Sequence, residues 1–276
     1  MKLGNILSRA FIGLILITIV TISVIPFLWV FASSFKSNAE IMSTKMGFAN
    51  GLKFSNYVNA FKIAPIDRFY VNSIIVAFFG ILLNVFVSST AAYVLARFPF
   101  KGSRFLTVLL SMGLFIPGAA LLQPVFLVTS AVKLNNSYAG LVIVYSAFGL
   151  ATTLYVMISY FKTIPKELEE SAYIDGSGFV NTFARIILPL TRPALSTAAV
   201  LQFLLCWNEF QFALILTNDH KVRTLPVALY YSKSSFASDY GAMFAATILV
   251  IMPSIIVFVL LQKQVVSGLV AGSVKG

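Results

Sequence analysis

Six long apolar runs organise the chain: Phe11–Ala32, Asn72–Ala96, Phe105–Thr129, Leu141–Phe161, Pro193–Leu216 and Gly241–Gln262, each of 21 to 25 residues. A hydrocarbon core about 30 Å thick needs roughly 20 mainly apolar residues per helix, and these runs would reach about 32–38 Å. They predict an all-α, polytopic membrane protein with six transmembrane helices. Lys133 is the only charged residue between Phe105 and Phe161, so Ser130–Gly140 is read as a short turn between the third and fourth helices. Pro117 and Pro253 lie inside the third and sixth runs and predict kinks, which bundles tolerate where neighbours satisfy the freed carbonyls. The first run follows Lys2 and Arg9 and ends on Val30-Phe31-Ala32, as a signal peptide would, but its 22 residues exceed an apolar region of about 7–15. It is read as a retained helix. The chain then divides into a segment 1–67 carrying the first helix and an external loop, a transmembrane domain 68–262, and a tail 263–276.

Composition agrees with this class. Hydrophobic residues make up 59% of the chain and charged ones 11%, against about 45–50% and 25% in a soluble domain. A soluble enzyme is excluded, and so is intrinsic disorder, which needs low hydrophobicity. The net charge of +11 is read as loop charge beside anionic membrane lipid rather than as a nucleic-acid surface. Six spans place both termini on one side, which carries eleven Lys and Arg against nine on the other. The positive-inside rule therefore leans towards cytoplasmic termini in a cell membrane, although charge alone leaves the orientation open. Cys206 is the single cysteine, which excludes an internal disulfide, and His220 has no Cys or carboxylate pair at metal spacing, so no metal site is expected.

The loop 162–192 departs from its basic surroundings, because four of the nine acidic residues fall within Glu167–Asp175. Pro165 suits a helix start, Glu167, Glu169 and Glu170 favour the positive end of the helix dipole, and Gly176 suits a left-handed stop. Leu168 and Ala172 share one face at i, i+4 spacing. A second apolar stretch, Phe179–Leu188, ends at Pro189. Two short helices joined at a glycine are predicted to lie across a membrane face. Interfacial helices usually carry basic polar faces, so an acidic one points to a protein partner, with rest on lipid the alternative.

The residues of this loop resemble a known pattern. Glu170-Ser171-Ala172, three residues, Gly176, nine residues, then Ile186-x-Leu188-Pro189 is similar to the E-A-A-x3-G-x9-I-x-L-P loop of ABC-importer permeases, departing only by Ser171. Leu168–Gly176, Leu188–Leu195, Asn72-Ser73, Trp207–Phe210 and the tail Gln264–Gly276 resemble the carbohydrate-uptake, maltose-transporter branch. The resemblance implies the type I ABC importer permease fold, with a cytoplasmic coupling helix between the fourth and fifth spans seated on a separate ATPase. It implies that Glu170, Ser171, Ala172, Asp175 and Gly176 carry the coupling contact, with Leu188 and Pro189 shaping the return into the fifth helix. It also implies that Gly268, Gly272, Lys275 and Gly276 in the tail meet the ATPase, for which an extended strand is expected. The expected partners are an ATPase dimer, a second homologous permease subunit and an external sugar-binding protein. No cofactor is expected in this chain, which contains no Gly-Lys pair and hence no phosphate loop; ATP and Mg belong to the ATPase.

Glu209 is the one ionisable residue inside a predicted span, about 24 Å along a helix from Pro193. Intramembrane carboxylates are functional candidates, and it is read either as a sugar contact or as part of an external gate. Trp207 is either a stacking face for a sugar ring or an interfacial anchor. Asn84, Tyr145 and Asn208 are polar groups on the candidate substrate path, with helix-to-helix hydrogen bonding as the alternative. The runner-up functions are a permease for another small polar solute, an amino acid or phosphate, and a secondary transporter, for which a single intramembrane carboxylate is thin support.

Overall fold

The computed structural model describes residues 2–43, 51–233 and 239–273, and no strand occurs among them. The helices are α1 (Lys2–Ser33), α2 (Asn38–Met42), α3 (Ser55–Ile63), α4 (Ile66–Arg97), α5 (Ser103–Ser111), α6 (Leu122–Ala131) and α7 (Tyr138–Phe161). They continue as α8 (Glu167–Ile174), α9 (Phe179–Thr182), α10 (Leu188–Leu190), α11 (Arg192–Asn208), α12 (Gln211–Leu216) and α13 (Tyr240–Ser273). Four stretches are long and apolar enough to cross a membrane: Ser8–Ser33, Ile66–Arg97, Tyr138–Phe161 and Tyr240–Gln264. Two bent pairs bring the number to six when each is counted as one span.

The third predicted span is broken rather than kinked. Ser103–Phe115 and Gly118–Ala131 meet at 99°. Ile116, ahead of Pro117, takes φ −90°, ψ 116°, the extended conformation towards which a proline ring biases its predecessor. Pro253, by contrast, lies within α13 without ending it. The fifth predicted run is also interrupted: α11 stops at Asn208, Glu209 is extended at φ −70°, ψ 122°, and α12 starts at Gln211.

The chain forms two compact units, Met1–Ile66 with Ala228–Met252, and Asp67–Val227 with Pro253–Gly276. In the first, Ser37 and Glu40 form a reciprocal cap at the start of α2, and Asn56 Nδ2 donates to the carbonyls of Ser34 and Lys36 at 2.8 and 2.9 Å. The α1 side chains from Phe11 to Leu28 are largely exposed, the inverse of a soluble helix and the arrangement expected where lipid is the solvent.

The second unit packs α4, α7 and α11 through small residues. Gly80 leaves room for Cys206, whose Sγ would lie 3.1 Å from an added Cβ, and the Gly80 carbonyl accepts from Ser146 Oγ at 3.0 Å. Asn84 Nδ2 donates to the Ser146 carbonyl at 2.8 Å, and its Oδ1 accepts from Thr153 Oγ1 at 2.7 Å. Close approach plus buried hydrogen bonds is how helices associate where no hydrophobic force separates them from lipid.

Candidate functional site

The acidic loop folds as its local chemistry dictates. α8 begins with Glu167, Glu169 and Glu170 in its first turn. It ends on Gly176 at φ +81°, with Gly176 N–H donating to Tyr173 O at 3.0 Å and Ser177 N–H to Ala172 O at 2.9 Å. This pair of bonds is a Schellman stop, which satisfies two carbonyls that the helix leaves open. The chain returns through α9, a wider turn at Phe183–Ile187 and α10, and it bends by 77° into α11. Thr191 Oγ1 donates to Leu188 O at 2.7 Å where the return is made.

The orientation of α8 differs from the expected Leu168–Ala172 stripe. Ala172 and Glu169 are buried, whereas Leu168 is 41% exposed. A carboxylate occupies the inner face because Arg97, at the end of α4, meets it there: Nε donates to Glu169 Oε1 at 3.1 Å, and Nη2 donates to Ile164 O at 2.7 Å. Beside this pair, the Tyr93 ring lies 4.7 Å from Phe183, 5.5 Å from Phe161 and 5.6 Å from Phe179, centroid to centroid. The loop is therefore attached to α4 by one ion pair and one aromatic cluster.

Its outer face presents Glu167, Glu170, Ser171, Asp175 and Gly176, with Pro189 exposed and Leu188 half-buried. Ile174 and Val180 are 86% and 73% exposed. Ala172 packs inward against its own chain, so this one of the expected contact residues is not on the presented surface. Ile174 and Val180 were not singled out from the sequence. Their apolar character was visible there, but the face they occupy follows from the burial of Glu169.

The second candidate region is the break between α11 and α12. Glu209 Oε1 accepts the Phe212 N–H at 2.7 Å, and Oε2 accepts the Ala213 N–H at 2.9 Å and the Tyr145 hydroxyl at 2.7 Å. A carboxylate on the open N–H groups of a helix start caps it and complements its dipole. Asn208 Oδ1 accepts from Ser254 Oγ at 2.9 Å. Asn84, Tyr145 and Trp207 are buried within the chain, whereas Asn208 and Gln211 are exposed and Glu209 is intermediate. The structure thus joins Tyr145 to Glu209, sets Asn84 in a separate hydrogen-bonded site and leaves Asn208, Glu209 and Gln211 accessible.

The tail is helical through Ser273, so Gly268 and Gly272 lie in α13 rather than in the expected extended strand. The apolar stretch before them carries the helix onward, and each glycine costs only about 0.5–1 kcal/mol. Lys275 and Gly276 lie outside the described residues.

Residues 84–270 match the family model for the binding-protein-dependent transport system inner membrane component. The chain is 37% identical over 251 residues to a probable ABC transporter permease protein, YurM of Bacillus subtilis, covering 91% of this chain and 83% of that one. It is 36% identical to the trehalose/maltose transport system permease protein MalG of Thermococcus litoralis, covering 96% and 95%. It is 34% identical to the diacetylchitobiose uptake system permease protein NgcG of Streptomyces coelicolor, covering 91% and 84%. Among solved structures, a chain of a bacterial ABC transporter involved in alginate import superposes with a TM-score of 0.77 at 22% identity, covering 95% and 96%, a likeness of fold.

Proposed function

The chain belongs to the binding-protein-dependent transport system inner membrane component family, and from that premise we propose that it is the permease subunit of an ATP-driven importer that takes a sugar, by preference an oligosaccharide, into the cell. Both termini and the 162–192 loop lie on the cytoplasmic side in this reading. ATP is hydrolysed on a separate ATPase dimer, and an external binding protein delivers the sugar to this chain and a second permease subunit. The spans then alternate between inward- and outward-facing states. The single observation carrying the assignment is α8: a capped helix held by its inner face to α4, with acidic and apolar side chains on its outer face. The relatives named for trehalose/maltose and diacetylchitobiose uptake support a sugar as cargo.

The test is purification through a tag on this chain. An ATPase dimer and a second six-span subunit are expected to copurify, and an active monodisperse monomer would overturn the reading. Affinity of the binding protein for a panel of mono- and oligosaccharides names the cargo; tight binding of an amino acid or phosphate instead would move the assignment to another solute.

Two substitutions test the loop itself. Gly176→Val places a β-branched residue in the left-handed region, at a cost of about 1–2 kcal/mol, and is expected to unwind the end of α8. Glu170→Lys reverses an exposed charge without disturbing packing. Each is expected to lower substrate-stimulated ATP hydrolysis at least about fivefold, the low end of coupling between sites. Unchanged stimulation in both would remove α8 from the coupling path.

A further inference from the structure

We propose that Arg97 is the positioning residue through which movement of the 162–192 loop reaches α4, and through α4 the opposite end of the membrane domain. This inference rests on the permease reading and adds a route to it. Arg97 and Glu169 form an ion pair whose side chains are only 4% and 9% exposed. The guanidinium holds the loop at two places, the Glu169 carboxylate on α8 and the Ile164 carbonyl ahead of it, with Pro165 O at 3.4 Å. A planar fork of fixed donors bonded at both places resists sliding and rotation of α8 against α4. The ring contacts around Tyr93 are less directional. They keep the surfaces together without fixing their register.

What Arg97 holds at one end, α4 carries to the other. The helix has 32 residues without proline, about 48 Å of continuous rod. At its first turns Asn72 Nδ2 donates to Arg223 O at 2.8 Å and to His220 O at 3.3 Å, and its Oδ1 accepts from the Tyr138 hydroxyl at 2.7 Å. Ser73 Oγ accepts the Leu225 N–H at 2.7 Å. Directional bonds therefore tie each end of one unbroken helix to a connecting segment, 162–169 at one end and 220–225 at the other. A displacement of α8 held by Arg97 is delivered to the 220–225 segment.

The experiment reads the far end directly. Val71 is 55% exposed in the first turns of α4, and the native Cys206 is buried, so Val71→Cys reports maleimide labelling there. The complex is purified through this chain and labelled without nucleotide and after trapping with ATP and vanadate. With Arg97 intact, trapping is expected to change the labelling rate at least about fivefold; with R97M/E169M or R97K the change is expected to fall below about twofold at unaltered ATPase stoichiometry. The methionine pair fills the space with apolar groups, a replacement that buried ion pairs commonly tolerate, so a purely structural role predicts an undiminished response. An undiminished response in an assembled variant overturns the inference. R97K keeps a positive charge opposite Glu169 but lacks the fork that reaches both places, and it decides alone if the double variant fails to assemble. A native complex that hydrolyses ATP without change at position 71 also overturns the inference, whereas absence of any ATPase from the native complex overturns the permease reading itself.

Discussion

Gly149→Leu is expected to abolish accumulation of folded protein, and Gly149→Ala to lower thermal stability in detergent by several degrees. A Cβ at position 149 would overlap Gln202 Oε1, lie 2.7 Å from the Gln202 carboxamide carbon and 3.1 Å from Asn84 Nδ2. Neither neighbour is free to move aside. Gln202 Nε2 donates to Tyr145 O at 3.0 Å, and Asn84 is held by Ser146 and Thr153. Overpacking costs about 1–3 kcal/mol, and a lost interhelical hydrogen bond adds about 0.6–1.7 kcal/mol. Near 2 kcal/mol corresponds to a melting shift of about 4–8 °C for a chain of this size class. The cause is checked by a double-mutant cycle: Gly149→Ala should cost much less in a Gln202→Ala background, where the space is vacated, and equal costs in both backgrounds would refute the steric account.

The second large effect is expected at Glu209. Glu209→Ala removes the acceptor of three donors at once: the N–H groups of Phe212 and Ala213, residues only 4% and 0% exposed, and the hydroxyl of fully buried Tyr145. An unsatisfied buried donor costs about 1–3 kcal/mol, so the α11–α12 junction should lose its geometry and transport in proteoliposomes should fall to background. Glu209→Gln keeps one strong acceptor oxygen and should be intermediate. Tyr145→Phe removes a single bond and should cost about 1 kcal/mol. A Glu209→Ala protein with unchanged melting and transport would show the carboxylate to be dispensable.

The sequence located Glu209 as an isolated carboxylate in an apolar run, but its capping of Phe212 and Ala213 rests on a helix break that the run of apolar residues concealed, and its third donor is Tyr145, 64 residues earlier. Apolar periodicity reports burial in lipid or protein equally, so a continuous run conceals an interruption whose open N–H groups are satisfied by a side chain. Pro117 was visible as a disturbance, but the 99° bend depends on both halves finding separate packing. The polar residues Asn84, Tyr145 and Trp207 were legible as exceptions to the pattern. Their enclosure between helices was not, because sequence carries no record of which helix faces which.

What the sequence determined by itself was whatever depends on neighbours a few residues away: an all-helical membrane chain, because each span must satisfy its own backbone in lipid, and a short acidic helix stopped at Gly176, because a left-handed cap is chosen locally. What only the tertiary structure decided was which face of that helix turns inward. Leu168 and Ala172 were the obvious apolar choice, yet Glu169 lies inside and Leu168 outside. The reason is a guanidinium 72 residues earlier in the chain. A buried carboxylate is tolerable only when a charge meets it with good geometry, and that partner becomes visible only once α4 and α8 are brought together.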